Sequence, residues 1–432
     1  MVYWAASGVR LNKGLGHNLN APPGAKAMKP TIISLYTGAG GLDLGLEAAG
    51  FHTAVCVEMD AQCVRTLKHN RDWPVLDRDI STIPSEEILE VAGLRPGEVD
   101  LVAGGPPCQP FSKSAYWSSG DTKRLNDPRA ATLGEFMRVV EDTLPRAFLL
   151  ENVFGLAYKG KDEGFLYLKQ RVEEINRAKN VNYSFEAAVL NAAEFGVPQI
   201  RERVFIIGCR EGTRFHFPEP RFRDPAASSS QESLFELEPF RTAWDAIGDL
   251  NDLEHGDELR VRGKWGALLP SIPEGENYLW HTERGGGVAI FRWRSRYWSF
   301  LLKLAKNRPS WTIQAQPGSA IGPFHWKNRR LSPRELARLQ TFPDDYVVTG
   351  GITAIQRQLG NAVPSALAEL LGLEIRRQFW GHPVTSETLT LIPPKRDDCP
   401  VPEPVAPIPE EYRSLAWGSY KRGKTTKSAS AA

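Results

Sequence analysis

From residue 31 to residue 208, short apolar runs alternate with longer stretches whose apolar residues recur every three or four positions. Runs of four to eight apolar residues bounded by turn formers read as buried strands, and the longer period reads as amphipathic helix. The spacing predicts strands at 31–36, 52–57, 99–103, 147–150 and 204–208, with helices at 42–49 and 133–142. Strand–helix alternation of this kind predicts a doubly wound α/β sheet, whose ligands bind beyond the carboxyl ends of the strands. The alternation stops after Gly208. Residues 222–240 are loop-like and partly acidic, and an irregular tryptophan- and arginine-rich region follows. Order resumes at 331–340 and as one helical pattern over 354–377. Residues 1–29 carry no period and read as a loose extension, with Met28 a candidate natural start. Beyond Trp380 the chain is Pro-rich, then Lys/Ser/Ala-rich, and reads as disordered. The resulting division is an extension at 1–29, a large domain at 30–221 that returns at 351–380, a smaller irregular domain at 222–350, and a tail at 381–432.

Composition changes this picture little. Fifty-three basic against 51 acidic residues leave a formal net charge of +2, so any polyanion must be met by a local basic cluster. The five cysteines, Cys56, Cys63, Cys108, Cys209 and Cys399, show no paired spacing, which argues against a disulfide framework and a zinc cage. With no His-x-x-x-His pair either, no metal is expected. No apolar run approaches the roughly 20 residues that span a bilayer, and no signal-peptide core is evident at the N-terminus; the expectation is a cytoplasmic protein.

Candidate chemistry collects at predicted strand ends. Tyr36-Thr-Gly38-Ala-Gly40-Gly41 follows the first strand and opens a helix, where glycines let the backbone turn sharply and approach a ligand. A dinucleotide fingerprint would need a third glycine at position 43, which is Asp43, so an NAD site is disfavoured. Glu58 ends the second strand twenty positions after Gly38, where a carboxylate can accept from both hydroxyls of a ribose. Asp79 sits where a third strand would end, facing an adenine amino group in this reading.

The run 99–103 leads into Gly104-Gly105-Pro106-Pro107-Cys108-Gln109-Pro110-Phe111-Ser112. A lone cysteine is ordinarily a small core residue, but this one is held in a loop stiffened by prolines, and a thiolate is a strong nucleophile. Glu151, at the end of the run 147–150, can project into the same crevice as a proton donor or hydrogen-bond partner for a heteroaromatic ring. Alternation puts Gln199, Arg201 and Arg203 on one face of a strand, three donors suited to an anionic or carbonyl-bearing substrate.

Taken in order, Tyr36–Gly41, Glu58, Pro106-Pro107-Cys108-Gln109, Glu151-Asn152-Val153, Gln199–Arg203, 330–346 and Gln358-Leu-Gly360-Asn361-Ala-Val-Pro364 resemble the DNA cytosine-5 methyltransferases, bacterial and restriction–modification-like, over residues 31 to about 375. The resemblance implies a Rossmann-like S-adenosylmethionine-dependent sheet and a smaller target-recognition domain. It implies that Cys108 attacks cytosine carbon 6, Glu151 contacts ring nitrogen 3 and the amino group, and Arg203 holds the base's carbonyl oxygen. Cofactor positions carried over are Tyr36, Gly38, Gly40, Gly41, Glu58, Met59, Asp79, Ile80, Pro107, Asn361 and Val363. The partners implied are double-stranded DNA and a cognate restriction endonuclease, with the chain a monomer in the cytoplasm, on the nucleoid. Two departures stand out: Ser34 replaces a first-strand acid, and the segment from Asp127 to Leu133 carries one extra residue.

The variable stretch between Gly208 and Leu331 would read the DNA sequence. Its basic residues include Arg284, Arg292, Arg294, Arg296, Lys303, Lys306 and Arg308, and Gln199 and Arg201 are further DNA-binding candidates. The interleaved tryptophans are weighted toward core packing over base contact. An RNA methyltransferase, a catalytically dead DNA-binding regulator and a nucleotide-dependent oxidoreductase are the competing readings. Each is separable by the nucleic acid labelled, by covalent trapping, or by the nucleotide bound.

Overall fold

The computed structural model describes residues 29–107, 131–152, 163–226, 237–383 and 389–417. Its centre is a seven-stranded sheet. In chain order its strands are β1 (Thr31–Leu35), β2 (His52–Val57), β3 (Val75–Leu76), β4 (Leu101–Gly104), β5 (Ala147–Asn152), β6 (Ser184–Asn191) and, past the two-residue β7 (Gln199–Ile200), β8 (Glu202–Cys209). Across the sheet the order is β3-β2-β1-β4-β5-β8-β6, and only β8 runs antiparallel to its neighbours. The five predicted strands are present within two residues at their starts, apart from small extensions. The edge strand β6 was not predicted, because its sequence SFEAAVLN has neither a continuous apolar run nor a clean alternation.

Period-two burial explains the layers. Ile32, Leu101, Leu149 and Ile207 point to one face, where they meet Leu367, Leu371 and Ile375 of a long C-terminal helix. Their neighbours Ile33, Val102, Leu150 and Ile206 point to the other, against Ile88, Phe136, Val140 and Val172. Both faces are covered, as a nearly all-apolar parallel sheet requires.

The helical pattern at 354–377 is two helices, Ile352–Asn361 and Ser365–Trp380. Pro364 has no amide hydrogen and pushes Val363 out of helical geometry, so the chain breaks at residues 362–364. The predicted helix at 331–340 is Pro333–Leu339, opened by a capping box in which Ser332 and Glu335 bond each other's backbone amides.

A separate core lies in the irregular region. Leu268, Leu269, Ile272, Tyr278, Phe291, Phe300, Leu301 and Phe324 pack with Tyr412 from the C-terminal tail. This corrects the expectation of a disordered tail for residues 389–417. Leu389 is buried in the main core, Arg396 donates its backbone amide to Asp245 at 2.7 Å, and Glu403 donates its own to Glu274 at 2.8 Å. Widely spaced apolar anchors and side-chain acceptors hold this strap, so it needs neither helical nor strand periodicity. Tyr412 stacks on Trp265, with centroids 5.8 Å apart, and donates its hydroxyl to the Lys264 carbonyl at 2.6 Å. Tyr412→Ala is expected to cost about 3 kcal/mol, read as a lower urea midpoint for the transition of the full chain.

Candidate functional site

The carboxyl ends of β1, β2, β4 and β5 open on a cavity of about 460 Å³. Because β8 runs the other way, its beginning meets that same edge: Asn152 pairs with Val204, and Arg203 lies one residue beyond. Topology therefore brings together Tyr36, Glu58, Gly104–Pro107, Glu151 and Arg203, which are far apart in sequence.

After β1 the chain turns through Tyr36 (φ 55°), Gly38 (φ 59°) and Gly40 (φ 83°) into the helix Gly41–Ala48. This places the Gly38 amide 2.7 Å from Glu58 Oε2, while the Asp60 amide reaches Glu58 Oε1 at 2.7 Å. The carboxylate is thus oriented by two backbone donors and keeps lone pairs free. Burial pushes its pKa upward against those two bonds. Asp60 caps the following helix through the Gln62 and Cys63 amides and pairs with Arg357 at 2.7 Å. A Cβ at Gly41 would collide with the Val363 carbonyl, so the helix start abuts the break that presents Asn361 and Val363 to the cavity.

Of the cofactor positions expected from sequence, Tyr36, Gly38, Gly41, Glu58, Met59, Asp79, Ile80, Pro107, Asn361 and Val363 line this cavity. Gly40 does not. It faces Tyr346, whose hydroxyl would lie 3.0 Å from a Cβ there, so its service is to the turn. Ser34, the first-strand position singled out in the sequence, and Asn152 of the Glu151-Asn152-Val153 motif line it too, whereas Thr37, Asp43, Arg78, Thr132 and Arg357 line the cavity and were not anticipated as contacts. Little in the sequence separates them from ordinary turn and helix-surface residues.

Glu151 and Arg203 form the polar floor. Arg203 Nε lies 3.0 Å from Glu151 Oε1, with side chains 17% and 11% exposed. Burial raises the Glu151 pKa, opposed by the charges of Arg203 and Arg201. Gly105 leaves room here, since a Cβ would stand 2.9 Å from Glu151 Oε2. Asn152 donates to the Pro106 carbonyl at 3.3 Å and ties the loop after β4 to β5. Cys108 lies outside the described residues, and Pro107 beside it in sequence lines the cavity.

Gln199 and Arg201 need correction as DNA-facing groups. Gln199 is fully buried, donating to the Leu339 carbonyl and accepting from the Ile313 amide. Arg201, 1% exposed, donates to the carbonyls of Ile313, Gly360 and Ala362. Residue 201 lies between β7 and β8, so strict alternation does not run through Gln199 to Arg203. Lys303 and Lys306 are also interior: the first bonds the Ile272 carbonyl, its pKa lowered to about 8 by burial, and the second pairs with Glu274 at 2.6 Å. By contrast, Arg284, Arg292, Arg294 and Arg296 are exposed. Among the described residues none of the four has a carboxylate within ion-pair distance.

Asp43 is fully buried, and neither carboxylate oxygen has a hydrogen-bond partner. Burial raises its pKa to about 7. The folded state thus keeps a proton that the unfolded chain releases near pH 4, so stability falls as pH rises from about 4 to about 7. Asp43→Asn is expected to flatten that part of the stability–pH profile, checked by urea melts between pH 4.5 and 8. An unchanged slope would show that Asp43 is ionised in the fold.

Among the described residues no group of side chains could hold a metal ion, and no helix is long and apolar enough to cross a membrane. The family model for C-5 cytosine-specific DNA methylases matches residues 30–377. The chain is 42% identical over 373 residues to the type II methyltransferase M.SacI of Streptomyces achromogenes, covering 81% of this chain and 93% of that protein. It is 45% identical over 228 residues to M.AquIA of Picosynechococcus, covering 52% of this chain and 90% of the other. The crystal structure of a Spodoptera frugiperda DNMT2 mutant superposes with a TM-score of 0.55 at 17% identity, covering 80% of this chain and 100% of that one, a likeness of fold.

Proposed function

The chain belongs to the C-5 cytosine-specific DNA methylases, and from that premise we propose that it binds S-adenosylmethionine in the 460 Å³ cavity and methylates an extruded cytosine through a covalent adduct with Cys108. The observation that carries this reading is a single cavity lined by both Glu58 and the Glu151–Arg203 pair. Its volume falls in the range of small-molecule sites. The residues fit the donor: Glu58, held by two amides, has lone pairs for the ribose hydroxyls, Asp79 and Ile80 flank the adenine position, and the turn at Gly38 leaves backbone open to the ligand.

When bound, S-adenosylmethionine supplies an electrophilic methyl group. The protein's task is to make cytosine carbon 5 nucleophilic. The Cys108 thiolate adds to carbon 6, and the electron pair of the 5,6 double bond becomes available at carbon 5. Covalent catalysis of this kind divides one hard step into easier ones. Glu151, whose proton is retained to higher pH by burial, donates toward ring nitrogen 3. Arg203 holds the base's carbonyl oxygen and steadies charge that develops there. After methylation, loss of the carbon 5 proton and departure of the Cys108 sulfur re-form the double bond. The target atom is out of reach inside a duplex, so the base is flipped outward at a cost of a few kcal/mol.

The exposed Arg284, Arg292, Arg294 and Arg296 contact the DNA in this reading, and the enzyme acts alone beside a cognate endonuclease in the cytoplasm. The test is bisulfite sequencing of DNA from a host expressing the chain, with tritiated-methyl incorporation into duplex DNA and transfer RNA in parallel. One methylated sequence context is expected; label confined to RNA would end the proposal.

A further inference from the structure

Three aromatic side chains of the irregular region stand in solvent. Tyr297 is 81% exposed, Trp298 53% and Trp311 37%, whereas Trp244 and Trp326 are buried. Trp298 and Trp311 meet edge to face with centroids 5.6 Å apart. Leaving so much apolar ring surface in water is costly, and exposed rings that meet one another, as Trp298 and Trp311 do, point to an interaction surface.

The backbone beneath these rings is held in place. The buried Tyr278 hydroxyl donates to the Arg296 carbonyl and accepts from the Arg296 amide, and Asn277 donates to the Trp298 carbonyl at 2.8 Å. The loop therefore presents its side chains outward from a fixed main chain. Arg292, Arg294 and Arg296 project from the same loop without acidic partners among the described residues. An uncompensated basic loop bearing open aromatic faces is complementary to a nucleic acid, whose phosphates take the charge and whose bases take the rings.

Its place in the fold points the same way. Trp311 pairs in register with Ile200, three residues before Arg203 of the cavity. Ser299, next to Trp298, accepts from Gln314 at 3.0 Å. The adjoining Ala315 lines a groove of about 840 Å³ together with Arg260, Arg262, Arg330 and Arg357, and Arg357 also lines the cofactor cavity.

We propose that Tyr297, Trp298 and Trp311 form an aromatic platform that stacks on bases of the duplex left unstacked beside the extruded cytosine. This rests on the reading of the chain as a base-extruding DNA methylase. It also revises the sequence weighting of tryptophans toward the core, for Trp298 and Trp311 alone.

Stacking and charge separate by salt. The Trp298→Ala, Trp311→Ala double variant is expected to bind duplex carrying the site found by bisulfite sequencing about 10-fold or more weakly, with the slope of log Kd against log salt unchanged. Its affinity for S-adenosylhomocysteine should also be unchanged, and Trp298→Phe should stay within about 3-fold of the unsubstituted protein. Duplex affinity equal to the unsubstituted protein, or a loss accompanied by a shallower salt slope, would overturn the platform. If the double variant no longer binds S-adenosylhomocysteine, the decision passes to Tyr297→Ala, where unchanged duplex affinity overturns it and a salt-independent loss upholds it. Absence of methyl transfer to duplex by the unsubstituted protein would sink the underlying reading. Transfer by that protein, with the double variant its equal, sinks only the platform.

Discussion

Cys108→Ala is expected to lower methyl transfer by on the order of 10⁴-fold or more, the scale on which removal of an enzyme's nucleophile acts. The variant should still bind S-adenosylhomocysteine, because Tyr36, Glu58, Asp79, Asn361 and Val363, which line the cavity on the cofactor side, are supplied by segments other than the Cys108 loop. Duplex with 5-fluorocytosine at the target position should trap the unsubstituted protein as a denaturant-stable adduct, since fluorine cannot leave as the carbon 5 proton does. The alanine variant should form none. An adduct in the alanine variant would move the nucleophile elsewhere, and no adduct in either protein, on DNA that becomes methylated, would remove covalent catalysis.

The second large effect concerns Glu151 and Arg203. Glu151→Gln keeps the shape but not the acid, and is expected to reduce kcat by about 10²- to 10⁴-fold with little change in S-adenosylhomocysteine affinity. Burial raises the Glu151 pKa, so the unsubstituted enzyme should lose activity as pH climbs through that raised value. The glutamine variant should lack that limb. Arg203→Ala acts differently, by leaving a poorly hydrated carboxylate without its partner at 3.0 Å. The expected loss of stability is about 1–3 kcal/mol, below the figure for a fully buried pair because both side chains touch the cavity. Its sign with pH follows from linkage. Without the guanidinium the folded Glu151 holds its proton to still higher pH, so the destabilisation grows as pH rises and shrinks as pH falls and the carboxyl takes up its proton, a difference to be read between pH 8 and pH 5. Urea melts of the variant at both pH values check this; an equal loss at each would mean that Arg203 contributes packing and not charge.

Much of the site was legible because its chemistry is local. A glycine turn after β1, a glutamate ending β2, a Pro-Pro-Cys loop after β4 and a glutamate ending β5 each announce themselves over a few residues. The parallel strands β1, β2, β4 and β5 deliver their carboxyl ends to one edge, where the start of antiparallel β8 and the helix break at 362–364 join them, so residues spread from Tyr36 to Val363 line one cavity. Gly40 was misassigned because a glycine that faces a ligand and one that faces Tyr346 look alike in sequence.

The sequence by itself determined the strand–helix alternation through residue 208, which apolar runs would be buried, and the kinds of chemical group waiting at the strand ends. These follow from period and residue type, which act over neighbouring positions. Only the tertiary structure decided where long polar side chains find their partners. Arg201 is interior because the Ile313, Gly360 and Ala362 carbonyls, 112 to 161 positions away, converge on it. Tyr412 is a core residue because Trp265 stacks against it. Trp326 is buried while Trp298 lies open, although both come from the same irregular region. Periodicity tells which residues share a surface; what that surface meets depends on contacts between distant segments, and those exist only once the chain has folded.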